Sequence, residues 1–252
     1  MPSQPLVSVI TPLFNAEPYI EACMDSVAGQ TYENWEQIIV DDGSTDNGAA
    51  LVSKRAAQDP RLTLVRRTSN GGASVARNAA FRLMRGRYVA FLDADDVWLP
   101  HKLSLQINQL QNSDAVMVFS PYEKITALGN RTGRIVQVPD DLDYSGLLRG
   151  CWIACLTAMI DRERVGTIEM PYRRRSQDYA LWLSLLRAGG HAQSSGEVTA
   201  LYRAHGKGLS RNVTGRITSL WDIYRQQEGL GRRLSAYLIG SHLAGALYRR
   251  TQ

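Results

Sequence analysis

Four short apolar runs, each ending in polar or acidic side chains and separated by helix-period segments, constrain this chain more than anything else in it. Residues 6–11, 35–40, 62–66 and 88–92 read as strands. Residues 16–28, 45–58 and 73–84 read as helices, with Asn15 as the N-cap of the first. Strands apolar on both faces, alternating with helices, predict a mostly parallel, Rossmann-like α/β sheet flanked by helices. Such sheets bind ligands beyond the carboxyl ends of their strands. Thr11-Pro12, Asp41-Asp42 and Asp93-Ala94-Asp95 therefore open onto one edge, although they come from three separate stretches of sequence.

The remainder is less regular. Helices are expected over 98–111, 142–150 and 177–188, the last stopped by Gly189-Gly190, and an extended segment over 115–120. Two C-terminal helices follow, over 213–228 and 232–250. A length of 252 residues with 44% hydrophobic and 21% charged composition fits a folded domain and excludes disordered and collagen-like classes. No basic-then-apolar leader opens the chain, so no signal peptide is expected, and no apolar run reaches the ~20 residues of a spanning helix. Three cysteines, Cys23, Cys151 and Cys155, cannot make a disulfide framework, and free thiols fit a reducing cytoplasm.

Charge is unevenly spread. From Arg203 onward nine Lys/Arg face two Asp/Glu, a surplus of seven, which leaves the first 202 residues at −2 within a total of +5. A basic tail on a mildly acidic body points to an anionic surface as partner. Nucleic acid is disfavoured because the basic residues carry no reading motif or interleaved aromatic platform.

The usual nucleotide cradles are missing. No Gly-x-Gly-x-x-Gly follows the first strand, and Gly206-Lys207 lacks the upstream glycine of a phosphate loop. A bound phosphate would then need cations, and Asp93-Ala94-Asp95 supplies hard oxygen ligands for Mg²⁺ or Mn²⁺. Four stretches carry a family resemblance: Val7 to Pro12 with Asn15, Val40 to Asp46, Ala76-Arg77-Asn78, and Phe91 to Asp96. In order and spacing they resemble the family-2 glycosyltransferases of GT-A fold, closely so over about the first 110 residues.

That resemblance implies a nucleotide-sugar site drawn from Pro12, Phe14, Asn15, Asp42, Arg77, Asp93 and Ala94. Asp42 would accept a hydrogen bond from uracil, Pro12 and Phe14 would line the base pocket, and Asp93 would meet ribose or sugar. Asp95 would ligate a divalent cation, with His205 completing its shell; Tyr202-Arg203-x-His205 resembles a later motif of smaller bacterial members. Asp96 reads instead as the N-cap of the helix expected from residue 98. Gln177-Asp178-Tyr179 with Trp182 resembles the family's Glu-Asp-x-x-x-Trp element, with Gln177 in place of Glu.

Asp178 is the expected catalytic base. Inverting transfer needs one carboxylate to take the acceptor hydroxyl's proton, and a metal-stabilised nucleoside diphosphate leaves without protonation. Arg174 and Arg175, just before it, with Trp182, are expected to bind a glycan or lipid-linked acceptor. The processive Gln-x-x-Arg-Trp element is absent, which implies single-sugar addition. Residues 1–205 are expected to form one catalytic domain, 1–110 holding the nucleotide-sugar and 111–205 the acceptor, with 206–252 a basic helical extension. Leu238, Ile239, Leu243 and Leu247 lie between arginine pairs in that extension, a pattern suited either to core packing or to the inner face of an anionic membrane. No oligomeric state is assigned. The competing readings are a nucleotidylyltransferase, which lacks its glycine-rich N-terminal loop here, and a non-catalytic nucleotide-sugar-binding protein.

Overall fold

The continuous apolar runs become the parallel half of a sheet. The computed structural model describes residues 4–204 and 213–251, the last six by backbone alone. Strands β1 (Val7–Leu13), β2 (Trp35–Asp41), β3 (Leu62–Arg66) and β4 (Tyr88–Phe91) lie in the order β3-β2-β1-β4, all parallel. Every residue of β2 is buried, so the strand needs apolar cover on both faces. The cover is divided by side-chain alternation: in β4, Val89 and Phe91 join one core, and Tyr88 and Ala90 the other.

Helices α1 (Ile20–Ala28), α2 (Gly48–Ala56) and, later in the chain, α4 (Lys102–Gln111) cover one face through Ile20, Val27, Val52, Leu103 and Ile107. Helix α3 (Ala73–Phe81) contributes Ala76 and Ala80 to the opposite face. The chain winds outward from β1 to β3 and then returns to β4 on the other side of β1. The topological switch therefore falls between β1 and β4, where the carboxyl ends part and leave a crevice.

Past β4 the sheet turns mixed. A two-residue β5 (Val97–Trp98) precedes β6 (Met117–Phe119), β7 (Tyr122–Ile125), β8 (Arg131–Val136), β9 (Asp141–Leu142), helix α5 (Tyr144–Arg149) and β10 (Met159–Asp161). Short α6 (Arg162–Val165), α7 (Gln177–Arg187), β11 (Ala192–Ser194) and β12 (Ala200–Arg203) follow. The large sheet continues from β4 through antiparallel β10 to β6, β11 and β9, while β5, β12, β7 and β8 form a second sheet.

Helices α8 (Val213–Asp222), a π turn at Ile223–Gln227 and α9 (Arg232–Thr251) end the described chain. They do not stand apart from the body: Leu220, Ile223, Tyr224, Leu238 and Ile239 are buried in the same core as Trp182 and Phe91. Leu238, Ile239 and Leu243 of α9 thus pack inward, leaving Leu234 and Tyr237 on the exposed side, while the side chain of Leu247 lies outside those described. Among the described residues no helix is long and apolar enough to cross a membrane, and the three cysteines are free thiols.

Two expected caps are absent. Helix α1 begins at Ile20, and Asn15 lies in a left-handed conformation (φ 47°) whose side chain serves a loop instead. Helix α4 begins at Lys102, because Val97-Trp98 is drawn off as β5 against β12, and the Asp96 carboxylate accepts the backbone N–H of Arg203 at 2.7 Å.

Candidate active site

The carboxyl ends of β1, β2 and β4 open onto a cleft of about 1040 Å³. Pro12, Phe14, Asn15 and Tyr19 line it after β1, Asp42 after β2, Asn70 to Val75 and Arg77 around the start of α3, and Asp93 to Asp95 after β4. Tyr172, Arg173, Arg174 and Gln177 close it from the α7 side.

Asp41 and Asp42 divide two tasks. Asp41 shapes the turn by accepting Ser44 N–H at 2.9 Å, with Gly43 at φ +79°. Asp42, only 2% exposed, accepts the backbone N–H of Gly71 (3.1 and 3.0 Å to its two oxygens) and of Gly72 (2.6 Å), and it is ion-paired with Arg67. The loop must be glycine-rich for this. Gly72 sits at φ +86°, and a Cβ on Gly71 would come within 2.6 Å of the Arg67 guanidinium. Asn15 braces the neighbouring loop, accepting Thr45 N–H at 2.8 Å while its own N–H donates to Ser44 Oγ at 3.1 Å. Phe14 stands half exposed at the mouth, and Ala94 is buried beneath the loop that carries Asp93 and Asp95.

Arg77 is buried and ion-paired with Asp93, so it is not free in the way a surface arginine is. Burial disfavours its charge, but the fields of Asp93 and Asp178 outweigh that and hold it firmly protonated. Asp178 lies in the first turn of α7. Burial pushes its carboxyl above the ordinary range, Arg77 opposes the rise, and Asp93 adds to it. Arg77 is thus ion-paired with Asp93 and lies within electrostatic reach of Asp178.

Asp93, Asp95 and Asp96 crowd three carboxylates into four residues. Asp96, 3% exposed, has its pKa driven well up by burial and by the charges of Asp95 and Asp93. Among the described residues no three His, Cys, Asp or Glu side chains form a closed metal cage. A cation held by one or two carboxylates and completed by substrate phosphates needs no such cage, and the surplus negative field of this loop fits it. His205 lies outside the described residues.

On the α7 side, Arg173 and Arg174 face the cleft, whereas Arg175 turns its carbonyl to Ser219 Oγ on α8 at 3.1 Å. Trp182 must be corrected: it has no exposed surface and meets Phe91 edge-on at 5.3 Å, so it is a core residue and not an acceptor contact. One helical turn past Asp178, it points down onto the sheet where no sugar reaches. Sequence reasoning missed Arg67, Tyr19 and Tyr172; only adjacency to the named motifs could have flagged them.

Comparison with known proteins decides the family. The model of "Glycosyl transferase family 2" matches residues 8–167. TuaG of Bacillus subtilis (strain 168), a glycosyltransferase assigned to teichuronic acid biosynthesis, is 38% identical over 98% of both chains. This chain belongs to glycosyltransferase family 2.

Another relative is WfgD of Escherichia coli, a UDP-Glc:α-D-GlcNAc-diphosphoundecaprenol β-1,3-glucosyltransferase, 36% identical over 86% of this chain and 85% of its own. Among solved structures, S. aureus TarS 1–349 in complex with UDP-GlcNAc aligns over 94% of this chain and 71% of its own, with TM-score 0.73 and 18% identity. The mannosyltransferase PcManGT from Pyrobaculum calidifontis, in complex with GDP-Man and Mn²⁺, aligns over 95% and 69%, with TM-score 0.70 and 21% identity. The family-2 chain therefore has the GT-A fold of these structures and is a glycosyltransferase.

Proposed function

We propose that this glycosyltransferase is inverting, metal-dependent and non-processive, moving one sugar from a UDP-sugar to a hydroxyl of a lipid-linked glycan in surface polysaccharide assembly. The observation that supports the reading is one cleft in which Asp42, Asp93 and Asp95 face Gln177, the first residue of the helix that carries Asp178 directly behind it. Residues 1–110 supply the donor wall and 111–205 the acceptor wall. UDP-sugar use rests on Asp42 and Pro12 beside Phe14, and on the donors named for WfgD and TarS.

Asp178 takes the proton of the attacking hydroxyl. Its raised pKa makes it a stronger base than a solvated carboxylate, while Arg77 keeps enough of it ionised to work. Asp95, with Asp93 beside it, would hold a Mn²⁺ or Mg²⁺, which would supply charge neutralisation for the departing diphosphate. Arg173 and Arg174 attract the second diphosphate, that of the lipid-linked acceptor, and Tyr172 offers a sugar-stacking face. The protein works at the inner face of the membrane, where exposed Arg232, Arg233, Leu234 and Tyr237 of α9 meet anionic headgroups.

The test is UDP release across a panel of UDP-sugars with a GlcNAc-diphospholipid acceptor, with and without Mn²⁺, and the product anomer read by NMR. Acceptor-dependent UDP release that requires metal and inverts the anomeric centre is expected. Binding without turnover on any pair would favour the non-catalytic reading, and retention of configuration would remove Asp178 as sole base.

A further inference from the structure

Arg203, within the Tyr202-Arg203-x-His205 stretch, bridges several elements beside the cleft. It is buried, with 5% exposure. Its Nε donates to the carbonyl oxygen of Asp95 at 2.7 Å, and its backbone N–H donates to Asp96 Oδ1 at 2.7 Å. Nη1 donates to the carbonyls of Ala127 (3.1 Å) and Thr126 (3.4 Å) in the turn between β7 and β8. The guanidinium lies over the ring of Tyr19, 4.9 Å from its centroid, and Tyr19 lines the cleft after β1.

These contacts share a logic. Among the described residues the guanidinium makes no ion pair; its hydrogen bonds go to main-chain carbonyls, which report backbone position and carry no net charge. The turn from Asp93 to Asp96 is closed by Asp96 N–H to the Asp93 carbonyl at 3.0 Å, and three carboxylates on it repel one another. Arg203 holds that turn twice, through its guanidinium on the Asp95 carbonyl and its own backbone N–H on the Asp96 carboxylate, so the chain is tethered directly after the Asp95 side chain. A planar fork can reach the Asp95 carbonyl and the hairpin carbonyls at once, and a lysine ammonium cannot.

We propose that Arg203 is a positioning residue that holds the Asp95 carboxylate in register for a divalent cation and ties that loop to Tyr19 on the donor wall. The proposal rests on the metal-dependent reading above and extends it to a residue that need not touch metal, donor or acceptor. It places part of the control of cation affinity on the small second sheet, through β12 and the β7–β8 turn.

The experiment measures Mn²⁺ binding to the full chain by the loss of the free-ion EPR signal, with and without UDP, for the wild type, Arg203→Lys and Arg203→Met. UDP affinity without metal and thermal midpoints are recorded in parallel. Removal of a residue that orients a ligand weakens metal binding by about tenfold or more. Arg203→Met and Arg203→Lys should both show that loss, the KM for Mn²⁺ rising in step while kcat at saturating Mn²⁺ and metal-free UDP affinity stay near the wild-type values. If the Met variant does not fold, the Lys variant, which keeps the charge but loses the fork, decides alone. Mn²⁺ binding equal to wild type in a folded Arg203→Lys protein overturns the proposal, as does a loss no larger than its fall in folded fraction. A wild-type protein that binds no Mn²⁺, alone or with UDP, sinks the metal-dependent reading and this proposal together.

Discussion

On the β1–β2–β4 side of the cleft the polar groups are wired before any ligand arrives, whereas on the α7 side they stand open. Asp42 accepts from two backbone amides and pairs with Arg67, Asp93 pairs with Arg77, and Asn15 is bonded to Ser44 and Thr45. Across the cleft, Tyr172 is 66% exposed and Arg174 is likewise exposed, on a segment of little regular structure. A braced wall loses little freedom on binding and suits one invariant ligand, while an open wall can adapt to varied ones. The contrast fits the proposed division, with the donor on the first wall and the acceptor on the second.

The strongest way to break that assignment is at the junction of the walls. Asp178→Asn keeps the shape of the side chain but removes the base, so kcat should fall about 10³-fold. UDP affinity, measured by calorimetry, should fall far less than kcat, because the Asp42 anchor of the braced wall is untouched and only the field on Arg77 changes. A fall of less than tenfold in kcat would take the base away from α7.

The bracing itself can be broken at Asp42. Asp42→Ala strands the Arg67 guanidinium and two amides, and removing one partner of a buried pair costs about 3 kcal/mol, read from urea unfolding. UDP binding should weaken with it, because the loop from Asn70 to Gly72 loses its anchor. A stability change below 1 kcal/mol, read the same way, would mean the wall is not braced through this carboxylate.

How much of this was legible in the sequence follows the same divide. The first four strands announced themselves because each is a short, mostly apolar run, and the acidic ends of the second and fourth fell on one edge with the end of the first, as parallel topology requires. The caps expected at Asn15 and Asp96 were misread for a physical reason: short polar side chains suit helix ends and loop bridges equally, and only tertiary partners choose. For Asn15 the partner is Thr45, and for Asp96 it is Arg203, 107 residues away. The second sheet was invisible because β5 has two residues and β7 and β12 four each, too short to carry a period. Trp182 shares a helix face with Asp178, but depth, not face, separates core from cleft, and sequence spacing does not encode depth.

A buried charge at the seam between the two sheets sharpens the comparison through pH. Lys102 has no exposed surface, lies 4.5 Å from the centroid of Trp98, and among the described residues reaches only the uncharged oxygens of Gln106 and Thr157. Burial lowers its pKa to about 7 from an ordinary 10.5. Between those values the unfolded chain binds a proton that the folded chain does not, so this group makes stability rise with pH from about 7 to 10.5. Lys102→Met should flatten that slope in urea unfolding series and raise stability most at or below neutral pH. An unchanged slope would show that Lys102 keeps a counter-charge in solution.

The smallest expected effect is the most informative about the open wall. Arg174→Ala removes one exposed cation that faces an anionic acceptor, a contact screened by water and salt and worth about 1 kcal/mol. The acceptor KM should therefore rise roughly fivefold, with donor KM and thermal midpoint unchanged. Raising ionic strength should shrink the difference between variant and wild type, since the lost interaction is long-range and solvent-exposed. If Arg174→Ala instead raised the KM of the donor, the open wall would be holding the nucleotide-sugar, and the division of the cleft into a braced donor side and an adaptable acceptor side would have to be reversed.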